Sequence, residues 1–507
     1  MVVETKVGNI HKEEPEVGKE GQDIKEEKEK KEGLLSSFIK YFYGNFVVLL
    51  LGLIQLPLTT RVLQTQEYGK TTMFTTAVTV IYIFAILGLD QAYIRYFYKD
   101  GVNRKTLFFQ CLMPPFALII FLAFVYVVFS EYFNMFLFGE TGISVIIPVV
   151  AYTVISVFER FLFLNIRMEQ NGVLYSNLNI LSKVLNISFI ILFAWLWGSD
   201  FRVIMYAMTL SLGTVTLITG IRYLYSTRND RVTHHEITQK ELLAYGIPFI
   251  PMLLMEWLLS SMDKWSIKIF NDFSETGIYG SAMQIMTIIL TVKITFVAFW
   301  SPVAMEKYEQ DKEECKGFFA DMFDRVQFLC MCAAFMLTIF RGVIVLILGK
   351  DYREAVSIIP FLTLMPILSI MFEMTGQGVK FTGKIKYFNY ASLAAIICNL
   401  IGNTLLVPRY KGIGAALATA VTYIVYFSIG TYYSKKCYPV KYRMKEFVIS
   451  LLLYSAYAGY ATVTKDNVIT ALTGIAALAL CCVINRRTLA DLWSYAMAML
   501  HKIMKKQ

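Results

Sequence analysis

Long apolar segments follow one another through most of this 507-residue chain, and they constrain its fold more than any other feature. A helix rises about 1.5 Å per residue, so about 20 apolar residues are needed to cross the hydrocarbon core of a bilayer. About 14 segments meet this length, which predicts an all-α, polytopic membrane protein. They lie at residues 35–59, 71–98, 106–130, 142–168, 173–197, 201–225, 241–270, 277–304, 317–348, 354–381, 386–407, 412–434, 446–464 and 467–485.

The composition agrees with a membrane protein. Hydrophobic residues make up 56% of the chain and charged residues 17%, whereas soluble domains contain roughly 25% charged residues. The net charge of +10 would also suit a nucleic-acid-binding protein. Because the basic residues lie in short loops between apolar segments, membrane topology explains them better, and no nucleic-acid partner is expected.

The distribution of basic residues between the loops predicts the orientation. Alternate loops are rich in Lys and Arg, as in residues 95–105 and 435–445, and such loops stay cytoplasmic. We therefore expect a protein of the cytoplasmic (inner) membrane with both termini in the cytoplasm. Residues 1–32 are rich in Lys and Glu and are expected to be a disordered cytoplasmic tail. Residues 486–507 form an amphipathic tail that is expected to lie on the membrane surface.

The two halves of the chain resemble each other in loops as well as in helices. The segment RVLQTQEYGKTTMFTTAV aligns with IKIFNDFSETGIYGSAMQIM, so that Tyr68 and Gly69 fall on Tyr279 and Gly280. This repeat predicts two pseudo-symmetric six-helix lobes followed by two extra helices, and paired halves are typical of transporters that bind their substrate between them. The predicted lobes and the extra helices span residues 33–228, 240–436 and 445–485.

Several apolar segments carry ionisable residues near their middle. Such charges cost about 2.5–3.5 kcal/mol each unless they face the bundle interior or a water-filled cavity. On the seventh segment, Glu256 and Asp263 share one face and Lys264 lies on a neighbouring face. On the eighth, Lys293 lies opposite a polar stripe. The stripe consists of Gln284, Thr287, Thr291 and Thr295. Threonine can bond to its own helix backbone and lysine cannot, so we assign Lys293 to the cavity.

The remaining candidates fall into a basic and an acidic set. The basic set, which could meet phosphates of a ligand, is Lys183, Arg160, Arg167 and Arg95. The acidic set, which could couple transport to a proton or sodium gradient, is Glu373, Asp263 and Glu159. Each also has a structural explanation, as an ion pair between helices or as an anchor at the cytoplasmic surface. For Glu373, a pair with Lys380 requires an unusually long reach because seven residues separate them.

No motif in the sequence indicates an enzyme. There is no Walker loop, no nucleophile elbow and no metal-ligand spacing among the eight cysteines and four histidines. Most cysteines lie in apolar segments, so we expect free thiols and no metal site.

Six loose motifs, in this order and spacing, carry a resemblance to a known family. They are LPLTTRVLQTQEYG (56–69), GLDQAYIRYF (88–97), SSMDKWSIKIF with TGIYGSAMQ (260–284), SPVAMEKY (301–308), GKIKYFNY (383–390) and NTLLVPRYKGIGAALATAV (403–421). With these motifs the chain resembles the polysaccharide flippases, the O-antigen translocase branch of the multidrug/oligosaccharidyl-lipid/polysaccharide exporter superfamily. Where that family often has Asp-Arg, this chain has Asp263-Lys264, and lysine lacks the bidentate fork of arginine.

The resemblance implies a V-shaped pair of lobes and a transport function without cofactors. The expected substrate is an isoprenoid-pyrophosphate-linked oligosaccharide, moved across the membrane by alternating access for the synthesis of cell-surface polysaccharide. The expected partners are this lipid-linked substrate, membrane lipids, a polysaccharide polymerase and glycosyltransferases. Two alternatives of the same fold stay open, namely a flippase for the lipid-linked peptidoglycan precursor and a multidrug/cation antiporter.

Overall fold

The computed structural model describes residues 43–228, 237–464 and 466–504, and helices account for most of them. The helices of the first half are α1 (Tyr43–Val62), α2 (Thr65–Ile86), α3 (Leu89–Tyr96), α4 (Arg104–Val128), α5 (Ser130–Phe138), α6 (Ile143–Met168), α7 (Gly172–Trp197) and α8 (Arg202–Ser226). Those of the second half begin with α9 (Gln239–Gly246), α10 (Ile250–Phe270), α11 (Phe273–Gln310), α12 (Cys315–Ile339) and α13 (Arg341–Leu346). They continue with α14 (Ile359–Leu362), α15 (Leu364–Thr375), α16 (Gln377–Phe381), α17 (Lys386–Cys437), α18 (Met444–Val463), α19 (Asn467–Ile484) and α20 (Arg486–Met504).

The prediction of an all-α membrane protein is confirmed, whereas the count of 14 spans is not. Within the described residues, 12 helices are long and apolar enough to cross a membrane, or up to 13 if one bent pair counts as a single span. That pair joins a 3₁₀ turn, Lys350–Ser357, to the helical segment Ile359–Thr375 at an angle of 60°. The predicted tail at residues 1–32 lies outside the described residues.

The long helix α17 covers two of the predicted segments. Its 52 residues would extend about 78 Å if straight, well over twice the thickness of a bilayer core. Lys411, however, has non-helical angles (φ 51°, ψ −132°). A Cβ atom at Gly402 would lie 2.9 Å from the Cβ of Ala418, although 16 residues of straight helix separate such positions by about 24 Å. The chain therefore folds back at Lys411 into two antiparallel helices.

Side-chain caps determine where several helices begin. Asn103, Asn171, Asp272 and Asp466 each accept a hydrogen bond from a backbone N–H two or three residues later. Such caps satisfy N–H groups that have no partner within the helix, and each is worth about 0.5–2 kcal/mol. The sequences at their own N-termini therefore determine where α7 and α11 begin, and both of these helices line the cavity between the halves.

The segment predicted at residues 71–98 is interrupted between α2 and α3. Leu87 and Gly88 both have positive φ angles, 54° and 66°. A Cβ atom at Gly88 would lie only 2.1 Å from the carbonyl oxygen of Gly246, so the backbone of α9 lies directly against this turn. Glycine is required here by both its φ angle and this close approach.

Helices α2 and α11 cross with their backbones in contact, and they join the two halves. A Cβ atom at Gly69 would lie 1.8 Å from the oxygen of Phe273, and one at Gly277 would lie 2.0 Å from the oxygen of Thr65. The hydroxyl groups of Thr65 and Ser274 are 2.6 Å apart. Small residues permit such close crossings in membranes. The two related repeat segments thus pack against each other.

The extra helices α18 and α19 pack into the core of the second half. Phe447, Tyr454 and Cys481 are buried in the same apolar cluster as Trp300 and Phe335. Tyr454 also donates a hydrogen bond of 2.8 Å to the oxygen of Pro360, at the start of α14. The predicted boundaries of the lobes and of the extra helices stay predictions.

Candidate functional site

A cavity of about 450 Å³ lies between α1, α2, α6, α7 and α8 of the first half and α10 and α11 of the second. Most of its lining residues have polar side chains. The polar lining residues are Gln55, Thr59, Tyr68, Thr71, Thr72, Thr75, Tyr152, Asn179, Ser182, Lys183, Asn186, Ser211, Lys264, Gln284 and Thr287. Among the described residues that line it, there is no Asp or Glu. A ligand in this cavity would meet positive charge, hydroxyl groups and amides.

Lys183 on α7 and Lys264 on α10 supply the positive charge. Both side chains are half-buried, and they come from different halves of the chain. Neither has a carboxylate within ion-pair distance in residues 43–228, 237–464 and 466–504. A half-buried ammonium group without a counter-charge is unfavourable, and an anionic ligand would relieve that cost. Both lysines were candidates from the sequence, and the structure brings them to one cavity.

Three neutral side chains on α1, α7 and α8 form a hydrogen-bonded chain in the cavity wall. Gln55 donates a hydrogen bond of 2.9 Å to Asn186, which in turn donates one of 3.4 Å to the hydroxyl of Ser211. Within the described part of the chain, the buried Oε1 atom of Gln55 has no hydrogen-bond partner. Amide and hydroxyl groups can both donate and accept, so this wall suits a ligand that carries many hydroxyl groups.

The rotation of α11 determines which of its faces reaches the cavity. Gly277 and Gly280 pack against α2, and Gln284 and Thr287 follow them on the same face, three or four residues apart. Gln284 and Thr287 of the polar stripe therefore line the cavity, whereas Thr291, Thr295 and Lys293 are not among its described lining residues. The glycine contact with α2 turns the face of Gln284 and Thr287 towards this cavity. The assignment of Lys293 to substrate binding stays a prediction.

Lys293 forms part of a charged cluster within the second half. Its ammonium group lies 3.4 Å from the carboxylate of Glu373, and that of Lys380 lies 2.7 Å from it. The Glu373–Lys380 pair exists although seven residues separate the two. Side chains on a helix point towards its N-terminus, so Lys380 extends back past the break at Gly376 to reach Glu373.

Asp263 is buried beside the cavity but faces away from it. Its Oδ1 atom accepts hydrogen bonds from Asn399 (3.0 Å) and Asn403 (2.8 Å). Its Oδ2 atom accepts one from the hydroxyl of Tyr279 (2.6 Å) and a further one from Thr419. Four neutral donors on α11 and both arms of α17 thus surround one carboxylate. These hydrogen bonds hold α10 against its neighbours.

The profile of the family described as "Polysaccharide biosynthesis protein" matches residues 34–307, more than half of the chain. The chain belongs to this family. A curated relative, "Probable low-salt glycan biosynthesis flippase Agl15" of Haloferax volcanii, is 20% identical over 442 residues, covering 86% of this chain and 91% of that protein. The resemblance drawn from the six motifs is confirmed.

Solved structures of other proteins share the fold of this polysaccharide biosynthesis protein. The lipid II flippase MurJ, in an inward closed conformation, matches with a TM-score of 0.64 at 15% identity, over 89% of this chain and all of that one. An outward-facing multidrug resistance transporter of the MATE family and the MOP superfamily has a TM-score of 0.54 at 15% identity, over 79% and 94% of the two chains. A MOP superfamily transporter from Pyrococcus furiosus, described by the reversed polarity of its binding pocket, has a TM-score of 0.52 at 16% identity, over 79% and 95%.

The other basic candidates of this family member lie away from the cavity. Arg160 pairs with Asp90 through two nitrogens, at 2.6 and 3.2 Å. Arg95 lies over the ring of Tyr245, 5.2 Å from its centre, and Arg167 is exposed. None of these arginines lines the cavity. Their predicted contact with an entering lipid is not tested by the structure.

Two acidic candidates also lie outside the cavity lining. Glu256 is exposed on α10, and Glu159 is half-buried on α6 next to Arg160. Sequence reasoning missed Gln55, Ser211 and the threonines of α2 as lining residues. One signal was present in the sequence. Gln55 is the only polar side chain in residues 46–58 of α1, and Thr71, Thr72 and Thr75 place hydroxyl groups on one side of α2.

Proposed function

We propose that this protein is a flippase that moves an isoprenoid-pyrophosphate-linked oligosaccharide across the cytoplasmic membrane for the synthesis of cell-surface polysaccharide. Membership of a polysaccharide biosynthesis family and a fold shared with a lipid flippase support a transport role. The observation that carries the proposal is the charge of the cavity. It presents two unpaired ammonium groups, and no carboxylate belongs to its described lining.

Lys183 and Lys264 suit the pyrophosphate of such a substrate. Charge-assisted hydrogen bonds from ammonium to phosphate oxygens are about twice as strong as neutral ones. Because the two lysines belong to different halves, a bound pyrophosphate would connect the halves. The neutral wall of Gln55, Asn186 and Ser211 would then contact sugar hydroxyls, and the prenyl chain would stay in the lipid.

Alternating access would open and close the contact between α2 and α11. The crossing of Gly69 and Gly277 brings the backbones together at the ends where α2 and α11 begin. In the same region Tyr352 donates a hydrogen bond of 2.9 Å to the oxygen of Leu63. By the loop charges this end faces outwards, with both termini in the cytoplasm. Separation of these contacts would expose the cavity on the outer side.

The coupling of transport to a proton or sodium gradient is part of the proposal. Its candidates stay Glu373, Asp263 and Glu159. Glu373 is partly exposed and bonded to two lysines, so its protonation would release both of them. Asp263 is held by four donors. We further propose that glycosyltransferases supply the substrate and that a polymerase consumes it.

Two other functions of this fold make different demands on the cavity. A multidrug/cation antiporter needs negative charge to hold its cation, and the described lining has none. A lipid-linked peptidoglycan precursor also carries a pyrophosphate and would suit the same lysines. The name of the Haloferax relative, a glycan biosynthesis flippase, favours the glycan substrate.

Removal of both cavity cations tests the proposal directly. In cells that depend on this protein for surface glycan, Lys183→Ala with Lys264→Ala should lower export about 100-fold or more, since each lost charged hydrogen bond is worth about 1.5–3 kcal/mol. Lys268→Ala is the matched control, because Lys268 lies one turn further along α10 and over the rings of Phe136 and Phe273.

The two variants separate the possible outcomes. Lys268→Ala should leave export near the wild-type rate at equal protein abundance. Unchanged export in the Lys183→Ala, Lys264→Ala protein, at normal abundance in the membrane, would refute the assignment of these lysines to the substrate. Lost export with an accumulating lipid-linked peptidoglycan precursor would favour the second substrate instead.

A further inference from the structure

A second, smaller pocket lies at the end of the bundle where α18 begins and α19 ends. Its volume is about 80 Å³. It is lined by Asp324 and Gln327 of α12, by Arg443 and Glu446 at the start of α18, and by Arg486 and Arg487 at the start of α20. It contains none of the residues of the central cavity, and the function proposed above does not involve it.

The buried wall of this pocket offers two hydrogen-bond acceptors without donors. Asp324 is 6% exposed and Gln327 is 1% exposed. One oxygen of Asp324 pairs with Arg443 at 3.2 Å, and the amide nitrogen of Gln327 donates a bond of 2.6 Å to Asn485. The remaining oxygens, Oδ1 of Asp324 and Oε1 of Gln327, are buried and have no hydrogen-bond partner among the residues that the structure describes. Buried polar atoms normally form hydrogen bonds, so these two oxygens suit a ligand that donates hydrogen bonds to them.

The exposed rim of the pocket offers positive charge instead. Arg486 and Arg487 are exposed and occupy the first two positions of α20, a helix of 19 residues. Neither guanidinium has a carboxylate within ion-pair distance among the described residues. A helix N-terminus carries partial positive charge and free N–H groups, and arginine binds phosphate through paired hydrogen bonds. The rim therefore suits a phosphate.

The position of the pocket indicates that its ligand comes from the membrane. Helix α19 is long and apolar enough to cross a bilayer, and it ends at Ile484, directly before the two arginines. On α20, Leu489, Trp493 and Met497 are four residues apart and 40%, 69% and 51% exposed. An exposed apolar face next to the end of a span is typical of a helix that lies in the lipid headgroup region.

We propose that this pocket binds a membrane phospholipid whose headgroup carries a primary ammonium, the phosphoethanolamine class. The ammonium donates to Asp324 and Gln327 inside the pocket, since it has three N–H donors for the two free acceptors. The phosphate lies outside on Arg486 and Arg487. A pocket of about 80 Å³ holds about two or three heavy atoms. It therefore has room for the ammonium end of the headgroup, while the phosphate stays outside. The bound lipid fixes α20 on the membrane surface.

Lipid retention by the full-length protein tests the ammonium contact. The protein in mild detergent is offered equal amounts of phosphatidylethanolamine, phosphatidylcholine and phosphatidylglycerol, and the retained lipid is measured by native mass spectrometry. We expect about tenfold more phosphatidylethanolamine than phosphatidylcholine, because a trimethylammonium group cannot donate hydrogen bonds, and a charged hydrogen bond commonly changes affinity by about this factor. Equal retention of these two lipids would overturn the proposal.

Two variants with matched controls localise the effect. Asp324→Asn should reduce phosphatidylethanolamine to the level of phosphatidylcholine, whereas Asp321→Asn, an exposed change one turn earlier on α12, should not. Arg486→Gln with Arg487→Gln should reduce all three lipids several-fold, whereas Arg325→Gln, outside the pocket lining, should not. Both arginines are exposed, so their replacement keeps the test valid if Asp324→Asn fails to fold.

Two further results would overturn the proposal. One is an equal loss of phosphatidylethanolamine in a variant and its matched control, which would place the lipid elsewhere. The other is binding of soluble O-phosphoethanolamine as tightly as the lipid, which would assign the pocket to a free metabolite.

Discussion

The charged residues within the helices divide into two groups with opposite surroundings. Lys183 and Lys264 face the central cavity, and no described carboxylate pairs with them. Lys293 and Lys380, in the second half, share the carboxylate of Glu373 at 3.4 and 2.7 Å. A charge within a membrane can be stabilised by water and ligand in a cavity or by a partner on the protein. Only the first arrangement leaves the charge free to bind a substrate.

Neighbours in the sequence can belong to different groups. Asp263 is enclosed by four hydrogen-bond donors, whereas the adjacent Lys264 reaches the cavity. Successive residues on a helix are about 100° apart, so a single helix can present a structural charge to one neighbour and a functional charge to the cavity. If this division is correct, Asp263 should contribute most to stability, the Glu373 cluster less and the cavity lysines least.

Removal of the enclosed carboxylate should destabilise the protein most. Asp263→Ala would leave donors on Asn399, Asn403, Tyr279 and Thr419 without their acceptor. We expect a loss of about 4 kcal/mol or more, since each unsatisfied buried group costs about 1–3 kcal/mol. The measurement is the thermal unfolding midpoint in detergent. Asp263→Asn, which keeps the shape and one acceptor, should lose less. An unchanged midpoint in Asp263→Ala would show that this cluster does not stabilise the fold.

Loss of the ion pairs of Glu373 with Lys293 and Lys380 should destabilise the protein less. Glu373→Gln leaves Lys293 and Lys380 without their counter-charge, and we expect a loss of about 1–2 kcal/mol, because all three side chains are partly exposed. Lys293→Met in the Glu373→Gln background should restore part of it. A double-mutant cycle measures the coupling between the two sites. A coupling energy near zero would mean that Lys293 does not depend on Glu373 and would remove the contrast with the cavity lysines.

The cavity lysines should contribute least to stability. Lys183→Met and Lys264→Met each remove a half-buried charge without breaking an ion pair, so the free energy of unfolding should stay within about 1 kcal/mol of the wild type or rise slightly. Unfolding midpoints measured beside those of Glu373→Gln give the comparison. A destabilisation as large as that of Glu373→Gln would show that the lysines have a structural partner and belong to the second group.

Much of the fold and part of the site could be predicted from the sequence. The all-α membrane fold, the family and the two cavity lysines follow from apolar length, ordered motifs and charges at mid-span. The face of α11 that meets the central cavity could not be predicted, because a helical projection shows that Lys293 opposes Gln284 but not which face a neighbouring helix contacts. The contact of Gly277 with α2 settles that question, and it depends on a helix about 200 residues away in the chain.

The sequence by itself determined that this chain crosses a membrane many times, because an apolar stretch of sufficient length has no other stable surroundings. It also determined that several charged side chains lie within apolar segments, where a protein partner or a water-filled cavity must stabilise them. Only the tertiary structure decided how each charge is compensated. Helix rotation, the fold-back at Lys411 and the helix break at Gly376 bring together side chains that helical periodicity alone does not pair. These features determine whether a charged side chain meets a partner or a cavity.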